Sequence, residues 1–313
     1  MESSRRPSRP APLLSFVLAL FAWPAAAQGP ALGLRILPLP GYAPAGPELR
    51  AAARGDVPFP ATVELLGDDA DPLNNLSVGG EDLKDSVADR PSSEDLERGL
   101  RDESVTVRMN AVRDAAYPRD VAAVPNLAGV MLRLDQPAPL RAAAALALGR
   151  IGDRVAVPSL AEALKDPAPQ VRYAAALSLG RLPADGVATR LERTLRTDPN
   201  WQARYAAAIA LGRTRKAFTA EALADALGSD PAWQVRQQAA RSLQDLGTAH
   251  AASALATALN DPEPSVRAAA GAGLALIGGP DQRRAVAQAL RVEGDPTVRA
   301  VLALAERRSR SGF

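Results

Sequence analysis

Residues 166–184 read DPAPQVRYAAALSLGRLPA, and the same pattern returns along the chain: DQPAPLRAAAALALGRIGD (135–153), DPNWQARYAAAIALGRTRK (198–216), DPAWQVRQQAARSLQDLGT (230–248) and DPEPSVRAAAGAGLALIGG (261–279). Its marker arginines are Arg108, Arg141, Arg172, Arg204, Arg236, Arg267 and Arg299, separated by 33, 31, 32, 32, 31 and 32 residues. Self-similarity at a fixed period of this length is the mark of stacked supersecondary units.

Each unit carries its own punctuation. An aspartate stands six positions before the arginine at Asp102, Asp135, Asp166, Asp198, Asp230 and Asp261, and in the last unit the sequence shifts it to Asp295. Aspartate bonds the backbone ahead of it and a following proline presets φ, so Asp-Pro opens a turn. A helix then begins, with Pro169 or Pro264 suited to a first turn that has no use for the missing N–H. The run after the arginine, such as AAAALAL (142–148), is small and aliphatic and lets a neighbouring helix come close. Gly149, Gly180 and Gly212 fall near the helix end, and Gly152, Gly247 and Gly278 fall three residues later, where a left-handed cap fits. A second helix follows, as in VPSLAEAL (157–164) and HAASALATAL (250–259), with apolar residues three and four apart.

One such hairpin cannot bury its own apolar stripe, so neighbours must stack. The expected fold is an all-α, right-handed α-solenoid of about six to seven two-helix repeats, preceded by a largely extended N-terminal segment. The pattern D-P-x-x-x-V-R-x-A-A-A-x-A-L-G, followed by A-V-P-x-L-x-x-A-L at 156–164, resembles the short HEAT-like repeats of the phycobilisome-lyase type over about residues 96–306. The resemblance implies the fold strongly. It implies function weakly, since such repeats occur in scaffolds, chromophore lyases and a di-iron hydroxylase.

Composition agrees with close helix packing: 47 % of residues are hydrophobic but only 4 % are aromatic. Cysteine is absent, which excludes disulfides, thiolate metal sites and a cysteine nucleophile. The one histidine, His250, opens a second helix and is followed by Ala251. The His-Glu pairs with which the hydroxylase relatives hold iron are therefore missing, and no serine or aspartate companion for a base is evident. No catalytic residue, metal ligand or cofactor is assigned.

The chain opens MESSRRPSRPAPLLSFVLALFAWPAAAQGP: Arg5, Arg6 and Arg9 precede an apolar run from Leu13 to Trp23, then Ala25, Ala26 and Ala27. This is the layout of a secretory signal peptide, residues 1–27, too short to span a bilayer comfortably. The expected location is exported, periplasmic or extracellular, with no integral span once the leader is removed. Residues 28–91 are proline-rich and then acidic, read as mostly extended or disordered. Residues 28–95 hold five basic and twelve acidic side chains, a net −7, whereas the chain from residue 96 is net +7. The acidic stretch 68–75 lacks the glycine and terminal glutamate of a calcium loop, and Asn75 begins a formal glycosylation sequon. The array is expected over 92–313, with Ser92 and Ser93 as a cap ahead of Glu94 and Asp95.

Two constellations remain. The column of Asp102, Arg108, Asp135, Arg141, Asp166, Arg172, Asp198, Arg204, Asp230, Arg236, Asp261, Arg267 and Arg299 could bind anions. A structural ladder is the preferred reading, because an arginine early in a helix meets an unfavourable dipole that an aspartate in its own turn or in the next repeat would offset. Trp201 and Trp233 stand three before their arginines, and Tyr173 and Tyr205 one after. They either seal the turns between repeats or serve as protein-binding anchors. The reading of function is an exported, non-catalytic scaffold or adaptor that binds another protein, of unknown identity and not nucleic acid, through the solenoid surface. The alternative is a lyase-like or other modifying enzyme related to the phycobilisome-lyase HEAT proteins.

Overall fold

The chain is described by a computed structural model, which covers residues 93–116, 120–182 and 186–310. The leader, the 28–91 segment with its acidic stretch and sequon, and the Ser92 cap lie outside the described residues. The rest is helical: α1 (Ser93–Leu100), α2 (Val105–Ala116), α3 (Val124–Leu132), α4 (Ala138–Ile151), α5 (Val157–Ala163), α6 (Pro169–Leu179), α7 (Val187–Thr197), α8 (Trp201–Thr214), α9 (Ala220–Ser229), α10 (Trp233–Leu246), α11 (Ala249–Ala258), α12 (Pro264–Ile277), α13 (Pro280–Val292) and α14 (Pro296–Arg310). Among the described residues, no helix is long and apolar enough to cross a membrane.

The even-numbered helices carry the marker arginines and stack directly on one another, forming one layer of an α-solenoid. The odd-numbered helices form the second layer and touch each other less. Side-chain size accounts for the difference. Ala144, Ala145, Ala175, Ala176, Ala207, Ala208, Ala239 and Ala240 are wholly buried in the arginine layer. The odd helices bury a row of leucines at one repeat position, Leu127, Leu160, Leu191, Leu223 and Leu255, and the arginine layer adds Leu148, Leu179, Leu211 and Leu243, all completely buried. Burying each contributes about 1.5–3 kcal/mol, which makes these leucines the main adhesive between the layers.

Local chemistry sets the helix ends. Pro169, Pro264, Pro280 and Pro296 each begin a helix. Asp120 and Asp153 cap short 3₁₀ turns before α3 and α5 by accepting from the N–H of Ala122 and Val155. Asn200 caps α8 through Gln202 and Ala203, and Thr248 caps α11 through Ala251. Gly152 and Gly247 close α4 and α10 in the left-handed region at φ 81° and 61°. Arg215 holds the same repeat position after α8 with φ 50°, the non-glycine residue found there among the described residues.

The other set of glycines falls near the helix ends, as expected, and has a packing role besides. Gly149 and Gly212 lie inside α4 and α8, and Gly180 follows α6 in a right-handed conformation. They mark closest approach between arginine-layer helices. A Cβ on Gly149 would fall 2.5 Å from Ser178 Cβ, on Gly180 2.6 Å from Ala210 Cα, and on Gly212 2.7 Å from Ser242 Cβ. The serines use the proximity, since Ser178 Oγ donates to the carbonyl of Ala145 at 2.8 Å and Ser242 Oγ to that of Ala208 at 2.9 Å.

Candidate interaction surface

The Asp–Arg column runs between repeats. Arg141 donates Nε and Nη2 to the two carboxylate oxygens of Asp166 at 2.9 and 2.7 Å. Arg172 does the same to Asp198 (2.7 and 2.8 Å), Arg204 to Asp230 (2.7 and 2.8 Å) and Arg236 to Asp261 (2.8 and 2.9 Å). Such fork-to-fork pairs fix direction as well as distance. The remaining Nη1 turns back to the main-chain oxygen six residues earlier: Asp166 for Arg172, Asp198 for Arg204, Asp230 for Arg236, at 2.8 to 3.0 Å. Each carboxylate also accepts the N–H two residues ahead, from Ala168, Asn200, Ala232 and Glu263. One aspartate thus shapes its own turn and holds the preceding repeat. The carboxylate partners raise Arg172, Arg204 and Arg236 above the ordinary arginine pKa.

Two rungs differ from the sequence reading. Asp135 does not bond Arg108; its carboxylate is taken by Arg133, two residues back, at 3.1 and 2.6 Å. That contact holds Asp135 below the usual carboxylate range. Arg108 keeps its main-chain bonds to Asp102 and Glu103, and its Nε is buried without a hydrogen-bond partner. At the other end Glu293, not Asp295, fills the carboxylate position: it accepts Arg267 Nε and Nη2 at 2.7 and 2.8 Å and the N–H of Asp295 at 2.9 Å. Arg267 holds the Glu293 carboxyl down at about 2. Asp295 caps α14 through Thr297 and Val298.

Three of the four singled-out rings come together. Trp201 and Tyr205 meet edge to face with ring centres 6.4 Å apart. Tyr205 is 8 % exposed, and Trp201, Trp233 and Tyr173 are half-buried and packed against the core. Burial pushes the Tyr173 hydroxyl up to about 12, with nearby Tyr205 adding to the shift and Arg213 opposing it. Trp233 lies one repeat further on. Leu146 and Ile209 stand half-buried five residues after their arginines, where Leu177 is nearly covered. The sequence reading missed Arg213 as the neighbour of Tyr173; its signal was the arginine nine positions after three successive markers, at 150, 181 and 213. His250 is exposed, and no cluster of three or more metal-ligating side chains occurs among the described residues.

No curated protein sequence matches the chain. Among solved structures it is similar to human deoxyhypusine hydroxylase, with 24 % identity over 70 % of this chain and 84 % of that one and a TM-score of 0.37. It is also similar to the complex of CpcE and CpcF of phycocyanin lyase from Nostoc, with 22 % identity over 74 % of this chain and 100 % of that one and a TM-score of 0.45. An engineered protein matches with 21 % identity over 70 % of this chain and 68 % of that one, at a TM-score of 0.45. The sequence profile of HEAT repeats matches residues 93–168, 130–212 and 220–305. With that profile spanning the stacked hairpins and their arginine ladder, the chain belongs to the HEAT-repeat family.

Proposed function

We propose that this protein is an exported, non-catalytic scaffold or adaptor that binds another protein through its solenoid surface. The observation that carries the reading is the face centred on Tyr173, Trp201 and Tyr205. It combines the half-buried rings of Tyr173 and Trp201, set against the buried Tyr205, with Ile209 one turn further along α8 and the cation of Arg213, on helices held in register by the ladder. Aromatic anchors held on a rigid frame lose little entropy on binding and dominate interface energies. Export rests on the basic, apolar and small-residue order of residues 1–27.

The test is affinity capture from envelope extract with the full chain, beside the Trp201→Ala/Trp233→Ala variant. A partner recovered reproducibly with the former and lost with the latter supports the reading. Equal recovery with both, or nothing above a control with a scrambled surface, counts against it. Copurification of a coloured ligand, seen as visible absorbance, would overturn it in favour of a lyase-like role. Mass measurement of the mature protein tests export, with cleavage after Ala27 expected.

A further inference from the structure

We propose that the ladder continues from one molecule to the next, the α14 end of one copy stacking head to tail on α2 of a second copy, with Arg299 of the first taking Asp102 of the second as its carboxylate. In the rungs from Arg141 to Arg267 an arginine is held by a carboxylate of the following repeat. Arg299 occupies the same repeat position and is exposed, and among the described residues its side chain makes one hydrogen bond, from Nη1 to the Glu293 carbonyl at 3.4 Å. Asp102 has the turn geometry of the other ladder aspartates, accepting the N–H of Ser104 at 2.8 Å, yet it is exposed and no arginine among the described residues bonds its carboxylate. The two ends of the array therefore present the two halves of one rung.

The α2 end face also uncovers a position that is closed elsewhere: Val107 is 39 % exposed where Val171, Val235 and Val266 are wholly buried. A head-to-tail contact of this kind is heterologous and builds rings or open filaments.

Sedimentation of the full chain over a dilution series tests this. The expected result is concentration-dependent association, weakened by at least about tenfold in Arg299→Asp and in Asp102→Arg. At concentrations where both are monomeric, thermal melts of Arg299→Asp should match the wild type, since no carboxylate among the described residues bonds Arg299. Val107→Asp, on the uncovered face of α2, should also weaken association. Mixing the Arg299→Asp and Asp102→Arg proteins should restore it through the exchanged pair. A single monomeric species at every concentration overturns the proposal, as does association that survives Asp102→Arg and Val107→Asp, which would mean another contact.

Discussion

Asp198 serves two arginines at once: its carboxylate takes Nε and Nη2 of Arg172 at 2.7 and 2.8 Å, while its main-chain oxygen takes Nη1 of Arg204 at 2.8 Å. Repeated at Asp166, Asp230 and Asp261, this makes a chain of charge-assisted bonds along the solenoid. The charges are largely removed from water, with Arg204 and Asp230 side chains only 11 % and 5 % exposed. Their mutual attraction is therefore offset by desolvation, and the pair specifies register more than it adds net stability.

Removing one partner is a different matter. Asp230→Ala strands the Arg204 guanidinium and deletes the acceptor for the Ala232 N–H, and should cost about 3–5 kcal/mol in urea unfolding. Arg204→Lys should also be clearly destabilising, because an ammonium cannot reproduce the fork. The double change Arg204→Met/Asp230→Leu should cost well under the sum of the single losses.

The glycines in the arginine layer separate packing from helix propensity. Gly180→Ala forces a Cβ to 2.6 Å from the Ala210 backbone, and Gly149→Ala presses on Ser178. Each should destabilise by about 1–3 kcal/mol, since backbone cannot rotate away. Gly129, within α3, has nothing within 4 Å of a built Cβ. Gly129→Ala should instead stabilise by about 0.5–1 kcal/mol. Thermal melts of the three variants decide the matter, and equal signs would refute the close-approach role.

The period of the arginines carried the helix pairs, their order and most of their starts, because turn and cap chemistry is local in sequence. What the letters hid was distance between repeats. Whether Asp166 answers Arg172 in its own unit or Arg141 in the preceding one depends on how hairpins stack. Asp135 illustrates the limit: it has the right register, yet Arg133 two residues away reaches it first. Glu293 was overlooked because one extra methylene does the work of the aspartate, while Asp295 nearby offered the more familiar Asp-Pro pair. Gly149 and Gly212 stand near their helix ends as the sequence places them, but only the facing serine reveals that the missing Cβ serves close approach.

Arg215 offers a direct gain in stability. It sits at φ 50° and ψ 28° in the place where Gly152 and Gly247 cap the neighbouring arginine-layer helices. A residue with a Cβ loses about 1–2 kcal/mol in this conformation, and the gain from glycine is partly offset by the greater freedom glycine brings to the unfolded chain. Arg215→Gly should therefore raise stability by about 0.5–1 kcal/mol, and Gly247→Ala should lower it.

At the acid end Glu293 is the group to follow. Its carboxyl is lowered from 4.5 to about 2 by Arg267. A lowered acid contributes stability that is whole above its unfolded pKa and disappears as pH falls through its folded one. The stability difference between wild type and Glu293→Gln should thus shrink between pH 4.5 and about 2. A difference that stays constant across that window would show that the charge of Glu293 is not what holds Arg267.

Tyr173 gives the mirror case at high pH. Its hydroxyl is raised from 10.0 to about 12, first by burial and then by Tyr205. Below the lower value both folded and unfolded chains keep the proton, so this group leaves stability independent of pH. Between the two values the unfolded chain loses its proton while the folded one retains it, so stability falls as pH rises. Absorbance titration should show a tyrosinate appearing near pH 12 that is missing from Tyr173→Phe. The variant should also lose less stability over the same interval. If a protein partner covers the Tyr173 face, its binding should hold the hydroxyl proton more tightly still and move that tyrosinate step further up, whereas a partner bound on the other layer would leave the step in place.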